Sequence, residues 1–272
     1  MEILHAIILG AVQGITEFIP VSSSGHLVLL MRILDIENTS LFFEIMLHTG
    51  TLVAVIVVLW KELWALLKKP VQALTGFLIL GTLPAVIAAL VFRGFFEDAF
   101  FTGRFLGISF LITSLLLSLA EYLSRRAINS GMEQKDEKSM KIPDALAVGF
   151  MQAIAIIPGV SRSGATIAGA LSFKLNRDFA ARFSFLLSIP AILGALMLHI
   201  MERLSSSYTA GVEAFSTTAI IAGTITAAIV GFFAVRFMLK LIREKSLFVF
   251  AIYTGVLGIV ILLDQYLFGL IF

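Results

Sequence analysis

The chain has 272 residues, of which 59% are hydrophobic and 14% charged, and its mean hydropathy is +1.00. A soluble domain is about half apolar and about a quarter charged, so this composition excludes one and indicates an integral membrane protein with most of its length in lipid. The net charge of +2 gives no basis for nucleic-acid binding, and the absence of cysteine excludes disulfides, thiolate metal sites and a thiol nucleophile.

No Lys or Arg precedes Arg32, so the basic segment of a cleavable signal peptide is missing and the first helix is expected to stay in the mature protein. Residues 3–31 are apolar but broken by Glu17-Phe18-Ile19-Pro20-Val21-Ser22-Ser23-Ser24-Gly25-His26. Three unbroken apolar stretches follow, at 41–60, 73–92 and 104–123. Residues 127–141 are the one long hydrophilic run and read as a mobile linker. A second broken stretch, 142–173, contains Ile157-Pro158-Gly159-Val160-Ser161-Arg162-Ser163-Gly164, and three more unbroken stretches lie at 183–201, 215–235 and 247–270. Each unbroken stretch is near the ~20 residues that cross the hydrocarbon of a bilayer. Irregular backbone at membrane depth survives only when buried in protein or lining a wet cavity, so each broken stretch is expected to be a re-entrant helix hairpin.

The charges support that topology. With six crossings and two re-entrant hairpins, 15 of the 20 basic residues fall on one side, four on the other, and Arg162 stays inside the second hairpin. The positive-inside rule makes the richer side cytoplasmic. Both termini are then outside, with the first hairpin open to the outer face and the second to the cytoplasm.

The halves also resemble each other. Residues 13–25 align with 152–164 at an offset of 139, matching Gln, Ile, Val, two Ser and Gly, and Gly10 matches Gly149. Phe43-Glu44-Ile45-Met46-Leu47 aligns with Phe183-Ser184-Phe185-Leu186-Leu187, and Gly81-Thr82 with Gly223-Thr224. Three crossings per half is an odd number, so the second half must sit inverted, as in many transporters with broken helices. The expected fold is an all-α polytopic membrane protein: a first repeat at 1–126, a cytoplasmic linker at 127–141 and a second, inverted repeat at 142–272.

This plan brings the two polar breaks together. Glu17 and His26 come from the first and Arg162 from the second, and an ionisable group deep in a membrane is a functional candidate by default. A helix begins after each Ser-rich turn, offering free N–H groups and a partial positive charge. Two such N-termini with one Arg suit a multiply charged anion, most naturally phosphate. Glu17 beside an anion makes sense as the holder of a divalent cation or a proton. Ser23 and His26 are three residues apart, share a helix face and could form an activated hydroxyl. Glu44 and His48 share a face at i, i+4 and read either as a supporting polar pair or as the wall of a wet cavity. His5 and His199 read as structural, and Glu121 as part of a solvated face.

Gln13-Gly14-Ile15-Thr16-Glu17-Phe18-Ile19-Pro20-Val21-Ser22-Ser23-Ser24-Gly25-His26 resembles the signature of the undecaprenyl-pyrophosphate phosphatases, the bacitracin-resistance family, and Pro158-Gly159-Val160-Ser161-Arg162-Ser163-Gly164-Ala165-Thr166 resembles its second signature. The resemblance implies hydrolysis of undecaprenyl diphosphate to the monophosphate carrier of peptidoglycan synthesis at the outer face of the bacterial plasma membrane. It also implies a divalent cation, Mg²⁺ or Ca²⁺, and bacitracin resistance through removal of the antibiotic's lipid target. By motif, Glu17, Ser23, His26 and Arg162 take catalytic positions, with Gln13, Ser22, Ser161, Ser163 and Thr166 at the substrate phosphates and Glu17 at the metal. Some members carry Glu where this chain has Gln13, which makes Glu17 the essential acid and Gln13 a neutral helper. Ser23 would attack the terminal phosphoryl group with His26 taking its proton, though attack by His26 or by water is left open. The isoprenyl diphosphate lipid and the bilayer are the partners expected, and pairing into a homodimer is compatible with the sequence. A lipid-phosphate flippase is the rival reading, since inverted repeats belong to that class as well.

Overall fold

The structure, a computed structural model, describes residues 1–36, 41–92, 94, 103–204 and 215–272. Among these, regular structure is helical apart from one isolated bridge between Lys135 and Leu175. The helices are α1 (Glu2–Thr16), α2 (Ser23–Ile33), α3 (Leu41–Val58), α4 (Trp60–Lys68), α5 (Ala73–Val91), α6 (Leu106–Asn129), α7 (Ile142–Ile154), α8 (Arg162–Ser172), α9 (Arg177–Leu204), α10 (Thr217–Glu244) and α11 (Phe248–Leu263). Five of them, α5, α6, α9, α10 and α11, are long and apolar enough to cross a bilayer. The sixth expected crossing is α3, which meets α4 at a 78° bend. There Trp60 stacks on Trp64 and Lys68 lies over the Trp64 ring, the pairing of apolar ring and cation found where a helix turns along a membrane interface.

Both broken stretches are helix–turn–helix units of short members. Helix α2 and helix α8 have 11 residues each, which span only about 16 Å at 1.5 Å per residue, too little to cross ~30 Å of hydrocarbon. The second member of each unit starts at a serine that bonds its own first turn. Ser22 Oγ accepts from Gly25 N at 3.2 Å, and Ser161 Oγ accepts from Gly164 N at 3.0 Å. This is ordinary N-capping, placed here at the turn of each unit. Ser22 holds φ at 73°, a backbone conformation few L-residues adopt, and the turn is thereby sharpened just ahead of Ser23.

The halves interlock rather than stand side by side. Helix α1 packs along α10, and α7 packs along α5, so each half sends its first helix into the other. Glycines make both crossings close. A Cβ on Gly10 would lie 2.2 Å from the Gly223 carbonyl oxygen, and one on Gly149 would lie 2.7 Å from that of Gly81. Small residues of this kind let membrane helices approach backbone to backbone. Gly10→Ala is expected to destabilise the protein by about 2 kcal/mol or more, because backbone rather than a movable side chain must shift. Gly76→Ala, where a Cβ meets nothing within 4 Å, should leave the melting temperature in detergent unchanged.

One end of the bundle gathers much of the positive charge. Glu121, expected on a solvated face, is fully buried there and receives Arg125 Nε at 2.7 Å, Arg177 Nη2 at 2.5 Å and the Leu247 backbone N–H at 3.2 Å. It ties α6, α9 and the start of α11 together, and the neighbouring cations supply the pairing that a buried carboxylate requires. The hydrophilic segment expected as a mobile linker is tied in as well. Lys135 donates its backbone N–H to Lys174 O, accepts from Asn176 N, and reaches Asp144 Oδ1 with its ammonium at 2.6 Å. Helix α10 is longer than expected, running 28 residues to Glu244 rather than ending near 235. Its last turns carry Arg236, Lys240 and Arg243 out to this charged end.

Candidate active site

The two hairpin turns meet. Gly159, with φ at 89°, donates its N–H to Ser24 Oγ at 3.3 Å, and Ser163 Oγ donates to Ile19 O at 3.2 Å. These two contacts stitch the first turn to the second. The close fit sets Arg162, the first residue of α8, against Glu17, the last residue before the first turn.

Glu17 is the hub. Its Oε1 receives Arg162 Nη2 at 2.5 Å, and its Oε2 receives Ser23 Oγ at 2.6 Å and Gln13 Nε2 at 2.9 Å. His48 joins from α3, with Nδ1 at 3.2 Å from Glu17 Oε2 and 2.9 Å from Gln13 Nε2. Four elements therefore converge on one carboxylate: the end of α1, the middle of α3 and the starts of α2 and α8. Beside it lies a cavity of about 340 Å³ lined by Glu17, Ser23, Glu44, His48, Ser161 and Arg162 among others. Among the described residues, Arg162 is the one guanidinium on its wall. Only one side of its fork is used, because Nη1 is buried without a partner. A donor left in that state marks where an acceptor belongs.

Apart from His26, the expected residues separate into three groups. Glu17, Ser23, Ser161 and Arg162 face the cavity. Gln13 is fully buried behind Glu17 and orients its carboxylate. Ser22, Ser163 and Thr166 hold the framework: Ser22 caps α2, Ser163 joins the two turns, and Thr166, fully buried, shares a 2.6 Å hydrogen bond with Ser184 of α9.

His26 stands apart from Ser23. Its Nδ1 lies 2.7 Å from the Ser22 carbonyl oxygen, which can only accept, so Nδ1 carries the proton. In the neutral ring Nε2 is then the bare nitrogen, and it accepts the Tyr253 hydroxyl at 2.7 Å. Phe110 packs edge-on at 5.4 Å between ring centroids, and Tyr253 lies nearly parallel at 5.7 Å. His26 is thus oriented by α11 from the second half. Tyr253 carries no motif signal, and only the packing of α11 identifies it as a neighbour of the site.

A divalent cation can be tested against these donors. Among the described residues no three acidic or histidine side chains come together as a cage. The cavity does present hard oxygen donors: the Glu17 carboxylate and Glu44, whose Oε1 is buried without a partner. Mg²⁺ is characteristically held by one or two carboxylates plus substrate phosphates, so the donor set fits an ion shared with a phosphate ligand.

Comparison with known proteins agrees with the geometry. The family model described as bacitracin resistance protein BacA matches residues 6–260. The undecaprenyl-diphosphatase of Carboxydothermus hydrogenoformans is 44% identical over 265 residues, covering 97% of this chain and 98% of that protein. Undecaprenyl-diphosphatase 4 of Bacillus thuringiensis (strain Al Hakam) is 43% identical over 266 residues, covering 98% of each. The undecaprenyl-diphosphatase of Methanosphaera stadtmanae is 39% identical over 282 residues, covering 96% of this chain and 97% of that protein. With a buried Glu–Ser–Arg centre between two hairpin turns, and a family match over nearly its whole length, this multi-pass membrane protein belongs to the BacA bacitracin-resistance family.

Proposed function

We propose that this chain hydrolyses undecaprenyl diphosphate to undecaprenyl phosphate and inorganic phosphate, returning the lipid carrier to peptidoglycan synthesis and so conferring bacitracin resistance. The observation that carries the reading is the unpartnered, buried Nη1 of Arg162 beside the Ser23–Glu17 hydrogen bond. It pairs an empty anion donor with a hydroxyl already aligned on a base.

The diphosphate ester carries several negative charges, and its cleavage is a problem of neutralisation and alignment. The terminal phosphoryl group takes the Arg162 fork, drawing Nη2 away from Glu17. The Glu17 carboxylate then accepts the Ser23 proton along the existing 2.6 Å contact. Ser23 Oγ bonds to phosphorus in line, and the bond from phosphorus to the bridging oxygen breaks with its electron pair going to the lipid monophosphate. Glu17 passes that proton to the departing lipid monophosphate and is a carboxylate again. Water then gives it a proton and attacks phosphorus, and the bond from phosphorus to Ser23 Oγ breaks as that proton returns to the serine. This route differs from the one expected from the motif, in which His26 takes the Ser23 proton. In the free site the Ser23 hydroxyl points to Glu17, while both His26 nitrogens are engaged by Ser22 and Tyr253. A divalent cation held by Glu17 would supply further charge neutralisation there.

The orientation proposed is a bacterial plasma-membrane enzyme with both termini and the cavity toward the outer face. Several features support it. Glu2 bonds the Ser216 backbone N–H just before α10, and Arg32 lies over the Phe272 ring, which brings the two chain ends to one end of the bundle. The basic cluster around Glu121 lies at the other. The inverted repeat is supported by Gly10 meeting Gly223 while their aligned counterparts Gly149 and Gly81 also meet. The isoprenyl tail would lie along the lipid-facing sides of the helices, with the head entering sideways.

The test is release of inorganic phosphate by the detergent-purified chain given farnesyl diphosphate and Mg²⁺. Turnover that chelator abolishes is the expected result. No release, together with movement of lipid phosphate across liposomes, would replace hydrolysis with transport.

A further inference from the structure

Glu44 is a buried acid that the reaction above does not use. It is 5% exposed, lines the same cavity as Glu17, Ser23 and Arg162, and its Oε1 makes no hydrogen bond. Burying a carboxylate oxygen without a partner is costly in protein and in a membrane. Packing does not demand an acid at this point. The aligned residue of the second half is Ser184, and His48, one turn on, aligns with Ser188. Both serines are buried and satisfied locally, Ser184 by Thr166 at 2.6 Å and Ser188 by Phe185 O at 2.6 Å. A small neutral hydroxyl meets the needs of that helix position, so the acid serves the cavity.

The cavity explains what Glu44 lacks. The one guanidinium that lines it among the described residues, Arg162, is paired with Glu17. A phosphate in the same space repels a second carboxylate unless a cation lies between them. We infer that Glu44 is a ligand of the divalent cation, contributed by α3 from across the cavity, so that the ion is held between Glu44, Glu17 and the diphosphate oxygens. The ion then bridges α3 to the hairpin and completes its shell only when a diphosphate is present. This placement rests on the diphosphatase reading for its anion, but Glu44 lies outside both motif segments.

Binding of Mn²⁺ to the full-length, detergent-purified chain, followed by loss of the free-ion EPR signal, tests it without turnover. Methylenediphosphonate serves as the uncleavable diphosphate. Glu44→Gln is expected to raise the dissociation constant of Mn²⁺ about tenfold or more, and to raise the Mg²⁺ concentration for half-maximal phosphate release in parallel. Glu44→Asp should fall between this variant and the wild type. Glu44→Ser, which takes the residue type of the aligned position in the second half, provides a variant whose packing the fold already accepts should the Gln form not be recovered. Mn²⁺ binding by Glu44→Gln or Glu44→Ser as tight as by the wild type overturns the inference, and so does a wild-type chain that binds no Mn²⁺ with the diphosphonate. Failure of the diphosphatase reading would be seen separately, as wild-type protein that binds Mn²⁺ and diphosphonate yet releases no phosphate.

Discussion

Ser23→Ala should lower kcat for phosphate release by at least about 10³-fold, as loss of an attacking group does elsewhere, while Ser24→Ala should cost no more than about tenfold, the scale of one hydrogen bond. The two residues are adjacent, and both line the cavity. Their hydroxyls differ in where they go. Ser23 Oγ donates to Glu17 Oε2 at 2.6 Å, the short, charge-assisted contact that draws the proton toward the base. Ser24 Oγ accepts from the Gly159 backbone N–H at 3.3 Å and sits 3.4 Å from Ser22 Oγ, so it joins the two turns. Removing Ser24 loosens the joint, whereas removing Ser23 deletes the atom that attacks phosphorus. The measurement is single-turnover phosphate release with each variant, alongside trapping of phosphoserine by acid quench in the wild type. Equal losses for the two variants would make Ser23 a second joint and return the attack to water or to His26.

Much of the molecule was legible in its sequence because a bilayer constrains a chain so strongly. A run of about 20 apolar residues has few alternatives to a crossing helix, and all six expected stretches coincide with helices, α3 in its bent pair with α4 and α10 continuing beyond its stretch. The hairpin breaks were equally plain, since Ser22, Ser161 and the flanking Gly and Pro residues are turn and capping types. Partnership inside the site was not legible. Spacing along α2 put Ser23 with His26, yet the hydroxyl finds Glu17, six residues back across a turn whose φ of 73° at Ser22 no periodicity argument anticipates. His48 reaches the carboxylate from α3, and Tyr253 reaches His26 from α11. Thr166, expected at the phosphates, turns to Ser184 because α8 is buried against α9 on that face. Glu121 looked solvated because it stands beside Arg125 and Arg126 in sequence. The fold instead brings Arg177 and the Leu247 N–H to it from distant segments. In each case the residue type carried the chemistry, and the tertiary neighbour decided which chemistry it was.

Arg162→Lys should reduce kcat/KM by about 10²- to 10³-fold, the range seen when one donor to a developing oxyanion is lost, even though the positive charge is kept. Arginine presents a rigid planar fork, and here the division of that fork matters. Nη2 holds Glu17 at 2.5 Å and Nη1 is the buried donor with no partner. A phosphoryl group can therefore dock on Nη1 before Nη2 releases the carboxylate, so the anion site and the base are exchanged in one continuous movement. Lysine offers a single ammonium on a flexible stem. It can pair with Glu17 or with phosphate, and in the free enzyme Glu17 is the nearer anion. Substrate must then break the ion pair before it gains anything in return. The cost should fall on KM as well as kcat, which separates this variant from Ser23→Ala, where binding is retained and chemistry is lost. Helix packing predicts little change in folding, since Arg162 is the first residue of α8 and the cap of that helix is Ser161. An Arg162→Lys protein with wild-type kcat/KM would take the guanidinium out of the reaction and leave Glu17 as its only function.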